Sequence, residues 1–175
     1  MITRQWAMPS PNTFSVAPIR DLLMVHIGDG DKIVDPFARD SSWTKFSNDI
    51  NPETGAAYHM EATAFLDYLL DTGHEGTFDV ALLDPPYSPR QMSEAYQSAG
   101  MKPGMKETQN ARLYSECKQR LWPLLRHGGK ALTFGWNSGG FGKKYGTEVV
   151  EILMVCHGGA HNDTICVVER KPLAA

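Results

Sequence analysis

The stretch that most constrains this chain is Phe78-Asp79-Val80-Ala81-Leu82-Leu83-Asp84-Pro85-Pro86-Tyr87-Ser88. An apolar, strand-like run stops abruptly in Asp-Pro-Pro-Tyr. Neither proline can donate to a ladder, and the pair forbids an immediate helix. The run therefore reads as a buried parallel strand that delivers a stiff turn at its carboxyl end. That is the edge at which open α/β sheets place their ligands. The turn carries one carboxylate, one proline carbonyl and one aromatic ring. Asp84 and the Pro85 carbonyl are placed to accept N–H bonds from a flat, amino-bearing ring whose face Tyr87 would cover.

Length and composition bound the rest. A chain of 175 residues with 42% hydrophobic content supports a proper core and predicts a single domain over 1–175. No apolar run approaches the roughly 18 residues of a membrane span. Met1 to Ser10 lacks a basic region followed by an apolar stretch, so no secretion signal is expected. Cys117, Cys156 and Cys166 are an odd count without CxxC spacing, which suggests reduced thiols and a cytoplasmic location. A hairpin that sets Cys156 opposite Cys166 is the alternative.

The net charge of −3 does not by itself suggest a nucleic-acid partner, but its distribution is uneven. Residues 1–87 hold five Lys/Arg and thirteen Asp/Glu, residues 88–145 ten and three, and residues 146–175 two and four. The basic segment that follows the Asp-Pro-Pro-Tyr turn could steer a polyanion towards it. Solvated helix faces explain the same charges equally well.

In chain order, the prolines at 9, 11 and 18 predict an extended arm over Trp6 to Pro18, then a helix that opens at Pro18. Lys32-Ile33-Val34-Asp35-Pro36-Phe37 reads as a first strand, and Lys45 to Pro52 as a second that ends in Asp49. Strand, small-residue loop, second strand with a terminal acid is how Rossmann-type units hold a nucleoside. Glu61 falls at the end of a third strand, ahead of a helix with Phe65, Leu66, Leu69 and Leu70 on one side. Pro89 to Lys106 lacks firm periodicity and predicts a mobile loop. Ala111 to Leu125 is a helix ended by Gly128-Gly129, and Lys130 to Trp136 is the fifth strand. Glu148 to Cys156 and Thr164 to Glu169 form a closing hairpin.

This succession resembles the AdoMet-dependent DNA adenine-N6 methyltransferases, and looks most like the short ones carried by bacteriophages. The likeness runs from about Thr13 to Glu169. Its most specific element is Asp84-Pro85-Pro86-Tyr87, which matches that family's catalytic motif. Asp35-Pro36-Phe37 resembles the first cofactor motif, Asp49-Ile50 the ribose-binding acid and its neighbour, and Glu61-Ala62 the acidic motif that meets the cofactor adenine. Asn12-Thr13-Phe14-Ser15 is similar to the segment against the cofactor's methionine end. After Asp-Pro-Phe the family usually carries small residues; here the chain reads Ala38-Arg39-Asp40-Ser41-Ser42-Trp43. No segment is large enough for a separate target-recognition domain.

The resemblance implies a Rossmann-like class I methyltransferase: an α/β three-layer sandwich with a seven-stranded mixed sheet in the order 3-2-1-4-5-7-6. It implies methyl transfer from S-adenosyl-L-methionine (AdoMet) to adenine N6 in DNA, in a bacterial or phage-infected cytoplasm. Lys102, Lys106, Arg112, Lys143 and Lys144 are candidate phosphate contacts, which position rather than specify. RNA, a protein glutamine, or a non-catalytic nucleic-acid-binding role on the same scaffold are the rivals. Taken singly, Asp35-Pro36 also reads as a plain turn, Asp49 as a helix cap and Glu61 as a surface residue. His157, His161 and Asp163 are metal ligands by type but share a hairpin loop, so no metal site is expected. Trp43, Trp122 and Trp136 read as core or rim packing.

Overall fold

The computed structural model describes residues 1–100, 110–159 and 161–174. They form an α/β fold around one mixed sheet of seven strands. The strands are β1 (Ile2–Trp6), β2 (Ile33–Asp35), β3 (Phe46–Ser47), β4 (Phe78–Leu83), β5 (Leu125–Gly135), β6 (Glu148–Cys156) and β7 (Thr164–Arg170), in the order β1-β6-β7-β5-β4-β2-β3. Only β7 runs against its neighbours. The four α-helices are α1 (Ala17–His26), α2 (Ala62–Asp71), α3 (Pro89–Ser98) and α4 (Asn110–Leu124).

Side-chain alternation along the central strands divides the core between two faces. Val80 and Leu82 of β4 join Ile33, Leu132 and Phe134 under Ile19 and Leu23 of α1. Ala81 and Leu83 join Val34 and Ala131 under Phe65, Leu66 and Leu69 of α2 and Cys117 and Leu121 of α4. A strand apolar on both sides can only sit in the middle of such an arrangement, and β4 lies between β5 and β2.

Three features of the sheet differ from expectation. The third strand is reduced to one bridge between Asn48 and Tyr58. Beyond Tyr58 the Asn48 side chain takes the place of a strand partner, accepting the Met60 N–H and donating to the Met60 carbonyl at 3.0 Å each. The seventh place is filled at the opposite edge by β1, which pairs in parallel with β6 from Ile2↔Ile152 to Trp6↔Cys156. The predicted arm thus begins as a strand, and only Ala7 to Asn12 stays irregular. The other six expected strands keep the relative order 2-1-4-5-7-6. Finally, Gly128-Gly129 does not end α4 but lies within β5, where the register against β4 jumps between Phe78↔Leu125 and Val80↔Lys130. A Cβ at Gly129 would meet the carbonyls of Arg126, Asp79 and Phe78, so this irregular turn of strand requires glycine.

The expected loop after Ser88 is helical as far as Ser98. Ser88 caps α3 by accepting the Gln91 N–H at 3.2 Å, Pro89 occupies its first turn, and Met92 and Tyr96, four residues apart, are buried. The remainder of that expected loop, Met101 to Lys106, lies outside the described residues. Cys117, Cys156 and Cys166 are free and buried, and Cys166 stands opposite Leu153 rather than Cys156.

The segment between β5 and β6 returns across the sheet, held by one buried carboxylate. Glu169 accepts from the N–H groups of Phe141 (2.5 Å) and Gly142 (3.0 Å) and from the Thr147 hydroxyl (2.6 Å). Glu169→Ala strands three donors and is expected to lower unfolding free energy by about 3 kcal/mol. Gly140→Ala places a Cβ on the Glu169 carboxylate at a positive φ and is expected to cost at least ~1 kcal/mol. Urea denaturation of both variants checks this.

Candidate functional site

The carboxyl ends of the parallel strands lie along one edge of the sheet, and the segments that leave them enclose a cleft of about 770 Å³. Its walls come from Pro9–Thr13 after β1, Pro36–Asp40 after β2, Asn48–Asn51 after β3, Asp84–Tyr87 after β4, Trp136 after β5 and His157 after β6. Glu61, Ala62 and the α3 residues Met92 and Tyr96 complete it. A side pocket of about 190 Å³ adjoins it; Asn12, Thr13, Phe37, Arg39, Asp40 and Asp84 line both. Phe14 and Ser15 face this side pocket, with the Phe14 ring packed on Phe134 at 5.0 Å.

Three aspartates end three neighbouring strands, and their local bonding differs. Asp35 Oδ1 accepts the Phe37 N–H at 3.1 Å, and Asp49 Oδ1 accepts the Asn51 N–H at 2.8 Å. Each carboxylate is served by the main chain two residues on, as in an Asx turn. At Asp84 that position is Pro86, which has no N–H. Among the described residues, Asp84 Oδ1 is buried and has no partner. The consecutive prolines thus leave a shielded, unpartnered acceptor on a residue that lines the cleft.

Desolvation raises the Asp84 pKa to about 6, against a bond from Thr13 and the charge of Arg39, which both lower it. Asp35 is wholly buried beneath the rim and does not line the cleft. Burial pushes its pKa up to about 8, opposed by the Phe37 N–H and reinforced by the charges of Asp84 and Asp49. At neutral pH the site therefore holds a protonated Asp35 below an ionised Asp84, two carboxyl groups sorted by surroundings.

The other acids are held by contacts that the motifs alone do not reveal. Asp49 Oδ2 accepts the Arg39 N–H at 3.2 Å. Glu61 stands at the N-cap of α2, not at a strand end, and its Oε2 accepts the Tyr96 hydroxyl at 2.7 Å, so α3 closes over the acid. Asn48 is fully buried and ties the loops after β2 and β3 together. Its Nδ2 donates to the carbonyls of Pro36 (3.1 Å) and Met60 (3.0 Å), and its Oδ1 accepts the Met60 N–H at 3.0 Å. Trp136 is a half-exposed rim residue whose ring lies 5.8 Å from that of Tyr87, tilted by 42°. The two rings stand side by side over the turn that carries Asp84.

The proposed phosphate contacts divide. Arg112 is exposed at the start of α4, beside the cleft-lining Leu113, and pairs with Glu116 at 2.7 Å. Lys143 and Lys144 are exposed in a 3-10 turn just before β6, whose first residues pair with the last residues of β7. That is the opposite end of the sheet from the cleft. Lys102 and Lys106 lie outside the described residues. His157 is bonded through both ring nitrogens, to the Ala7 carbonyl and the Thr164 hydroxyl, each at 2.9 Å, and the Asp163 carboxylate accepts its main-chain N–H. No group of three or more potential metal ligands occurs among the described residues. No described helix is long and apolar enough to cross a membrane.

Of the residues expected to form a site, Asp84, Pro85, Pro86, Tyr87, Pro36, Phe37, Asp49, Ile50, Glu61 and Ala62 line one cleft. Thr13, from the segment set against the cofactor's methionine end, joins them; Arg39, Asn48, Tyr96 and Trp136 do so without having been singled out for it. A signal existed for Tyr96, in its spacing from Met92, and for Trp136, which directly follows the fifth strand. None existed for Asn48, whose role depends on how two loops meet. Compared with models of known protein families and with curated proteins, the chain matches none.

A protonated Asp35 has a consequence for stability. The folded state holds this proton up to about pH 8, whereas the unfolded chain releases it near pH 4. Between these values the folded state binds more protons, so the Asp35 contribution is complete below pH 4 and is lost as pH rises through 8. Wild-type protein is expected to lose stability across this window, by up to about 1.4 kcal/mol per pH unit. Asp35→Asn is expected to flatten the profile, which denaturation midpoints at pH 5, 7 and 9 measure.

Proposed function

We propose that this chain is a Rossmann-like methyltransferase that moves a methyl group from AdoMet to the N6 amine of adenine in DNA. The observation that carries this reading is the unpartnered, buried Asp84 Oδ1, set by two prolines beside the rings of Tyr87 and Trp136. Such an acceptor suits an N–H-bearing planar group and is unfavourable without one.

The residues present fit the cofactor. A cleft of about 770 Å³ lies within the usual size of small-molecule sites. Among the described residues its charged lining comprises five carboxylates and one guanidinium, apart from two histidines, a balance suited to a ligand with sulfonium and ammonium charges. Asp49 retains lone pairs for ribose hydroxyls, and Glu61 and Ala62 close the far wall. Bound there, AdoMet supplies a methyl group already activated by its sulfonium.

The protein's part is to prepare the amine. An exocyclic adenine nitrogen is a poor nucleophile because its lone pair is delocalised into the ring. Asp84 Oδ1 and the Pro85 carbonyl, fixed around its two N–H groups, favour a pyramidal nitrogen and stabilise the positive charge that develops on it. Tyr87 and Trp136 hold the ring plane so that the lone pair points along the transfer axis. In duplex DNA the base must first leave the stack, at a cost of a few kcal/mol, and stacking on aromatic side chains returns about 1–3 kcal/mol of it. Arg112, exposed at the start of α4 and paired with Glu116, is the described residue this reading keeps as a phosphate contact.

The acid-rich lining favours one second reading, an uncharged amide such as a protein glutamine, which would present N–H groups to the same two acceptors. Incubation with methyl-labelled AdoMet and DNA, RNA or protein separates the readings. Label recovered from DNA as N6-methyladenine is the expected result; label on protein alone favours the second.

Asp84→Ala is expected to abolish transfer while AdoMet affinity changes less than about threefold, since the lost group faces the acceptor. In wild-type enzyme kcat/KM is expected to fall about tenfold per pH unit below about pH 6, where Asp84 becomes protonated and stops accepting. Pro86→Ala restores a main-chain donor two residues past Asp84. It is expected to move this acidic limb to lower pH and to slow turnover about tenfold. An unchanged limb would show that the missing N–H does not govern Asp84.

A further inference from the structure

The carboxylates that line the cleft all belong to one half of it. Asp40, Asp49 and Asp84 follow β2, β3 and β4, Glu61 caps α2 and Glu94 stands on α3. The other half is built by the loops that follow β1 and β5 and by the loop between β6 and β7. Among the described residues, those loops bring no carboxylate to the lining. The division follows the sheet, in which β1, β6, β7 and β5 are successive neighbours and β4, β2 and β3 lie beyond them. A polyanion that delivers a base to Asp84 is repelled on the first half and free to leave across the second.

The acid-free half also carries a ring and a cation that the core does not use. Trp6 ends β1 at this edge and is 66% exposed. A Cβ at Gly158 would lie 3.4 Å from its Nε1, so the indole borders the β6–β7 loop, which lines the cleft through His157, His161 and Asn162. Arg4 shares the strand face of Trp6. Its Nε donates to Cys156 Sγ at 2.9 Å, and Cys156 is the register partner of Trp6, so the guanidinium is drawn up beside the indole. Its other N–H groups have no acceptor among the described residues. At the far end of the same rim stand Trp136 and Tyr87. The ends of β5 and β1 are three places apart in the sheet, about 14 Å. Rings at intervals with a cation beside them are what an unstacked strand requires, a face for each base and a donor for a phosphate.

We propose that the acceptor adenine is carried on single-stranded DNA, which leaves the cleft across the β6–β7 loop to stack a neighbouring base on Trp6 and set a phosphate on Arg4. This rests on the reading of the cleft as an adenine-methylating site and adds the form of DNA it takes. A single strand can turn along the acid-free rim. A duplex is stiff over many base pairs, and one laid over the mouth would also cover the acidic half. An unpaired adenine needs no extrusion from a stack before it enters.

The test uses the intact protein and a fluorescent oligothymidylate with one central adenine, alone or annealed to its complement, read by anisotropy. Wild-type protein is expected to bind the single strand at least about tenfold more tightly than the duplex. Trp6→Ala is expected to weaken the single strand about tenfold, and Trp6→Phe less than about threefold. Arg4→Gln is expected to reduce the slope of log affinity against log salt by about 0.7, the share of one phosphate. AdoMet affinity, read by calorimetry, is expected to stay within about twofold of wild type in all three variants, which a general fault at the β1 edge would not allow. Unaltered single-strand affinity in Trp6→Ala, an unaltered slope in Arg4→Gln, or equal loss of AdoMet and DNA binding would each overturn the proposal. Equal wild-type affinity for single strand and duplex would overturn it too, and N6-methyladenine recovered from either DNA would then leave the reading of the cleft intact. Wild-type protein that neither binds nor methylates either DNA would overturn both.

Discussion

A missing N–H group sets the character of this site. Aspartates follow or end three strands of one sheet, and at two of them a main-chain N–H from two residues on meets one carboxylate oxygen, although Asp35 Oδ2 stays buried without a partner among the described residues. After β4 the second proline removes that possibility. Burial then raises the pKa of Asp84, offset only by a bond from Thr13 and the charge of Arg39, and its Oδ1 is left without a partner among the described residues. Its chemistry is thus fixed by an absent atom in the backbone as much as by the side chain itself.

The same sheet explains why Asp35 and Asp84 do not compete. They end adjacent strands, and the charge of Asp84 disfavours ionisation of Asp35, but Asp35 lies under the rim with no solvent access whereas Asp84 lines the cleft. The deeper group keeps its proton at neutral pH, and the shallower one carries the charge. A single negative charge is easier to hold in a poorly solvated place than two.

The central strands were legible in the sequence because each obeys a strong local rule. A run apolar on both sides and closed by two prolines has one plausible position in a sheet, and β4 occupies it. The closing hairpin that reverses the last strand followed from its turn residues, whereas the count of seven came from the resemblance and is met with β1 in place of the expected third strand. Where local signals are weak, the reading failed. Ile2–Trp6 has polar residues at Thr3, Arg4 and Gln5, and it is a strand because β6 offers an open edge, not because of its own pattern. The third strand was expected from Glu61, yet past Tyr58 the main chain bonds to the Asn48 side chain instead of to a strand. Gly128-Gly129 signals a break equally well whether it ends a helix or relieves a strand. Within the site, the aspartates could be read from their prolines, but the contact of Tyr96 with Glu61 and the threefold bonding of Asn48 depend on loops distant in sequence.

The edge strand at the amino terminus has a further bearing on how the molecule is made. Residues 2–6 find their partners at 152–156, nearly the full length of the chain away, and the segment that leaves them, from Pro9 to Thr13, forms one wall of the cleft. Contacts so distant in sequence carry a large loop-closure cost and form late. During synthesis the strand that leads into that wall has no sheet partner until β6 has been released. The central strands can therefore condense first, and the pocket takes its final shape only when β1 docks on β6.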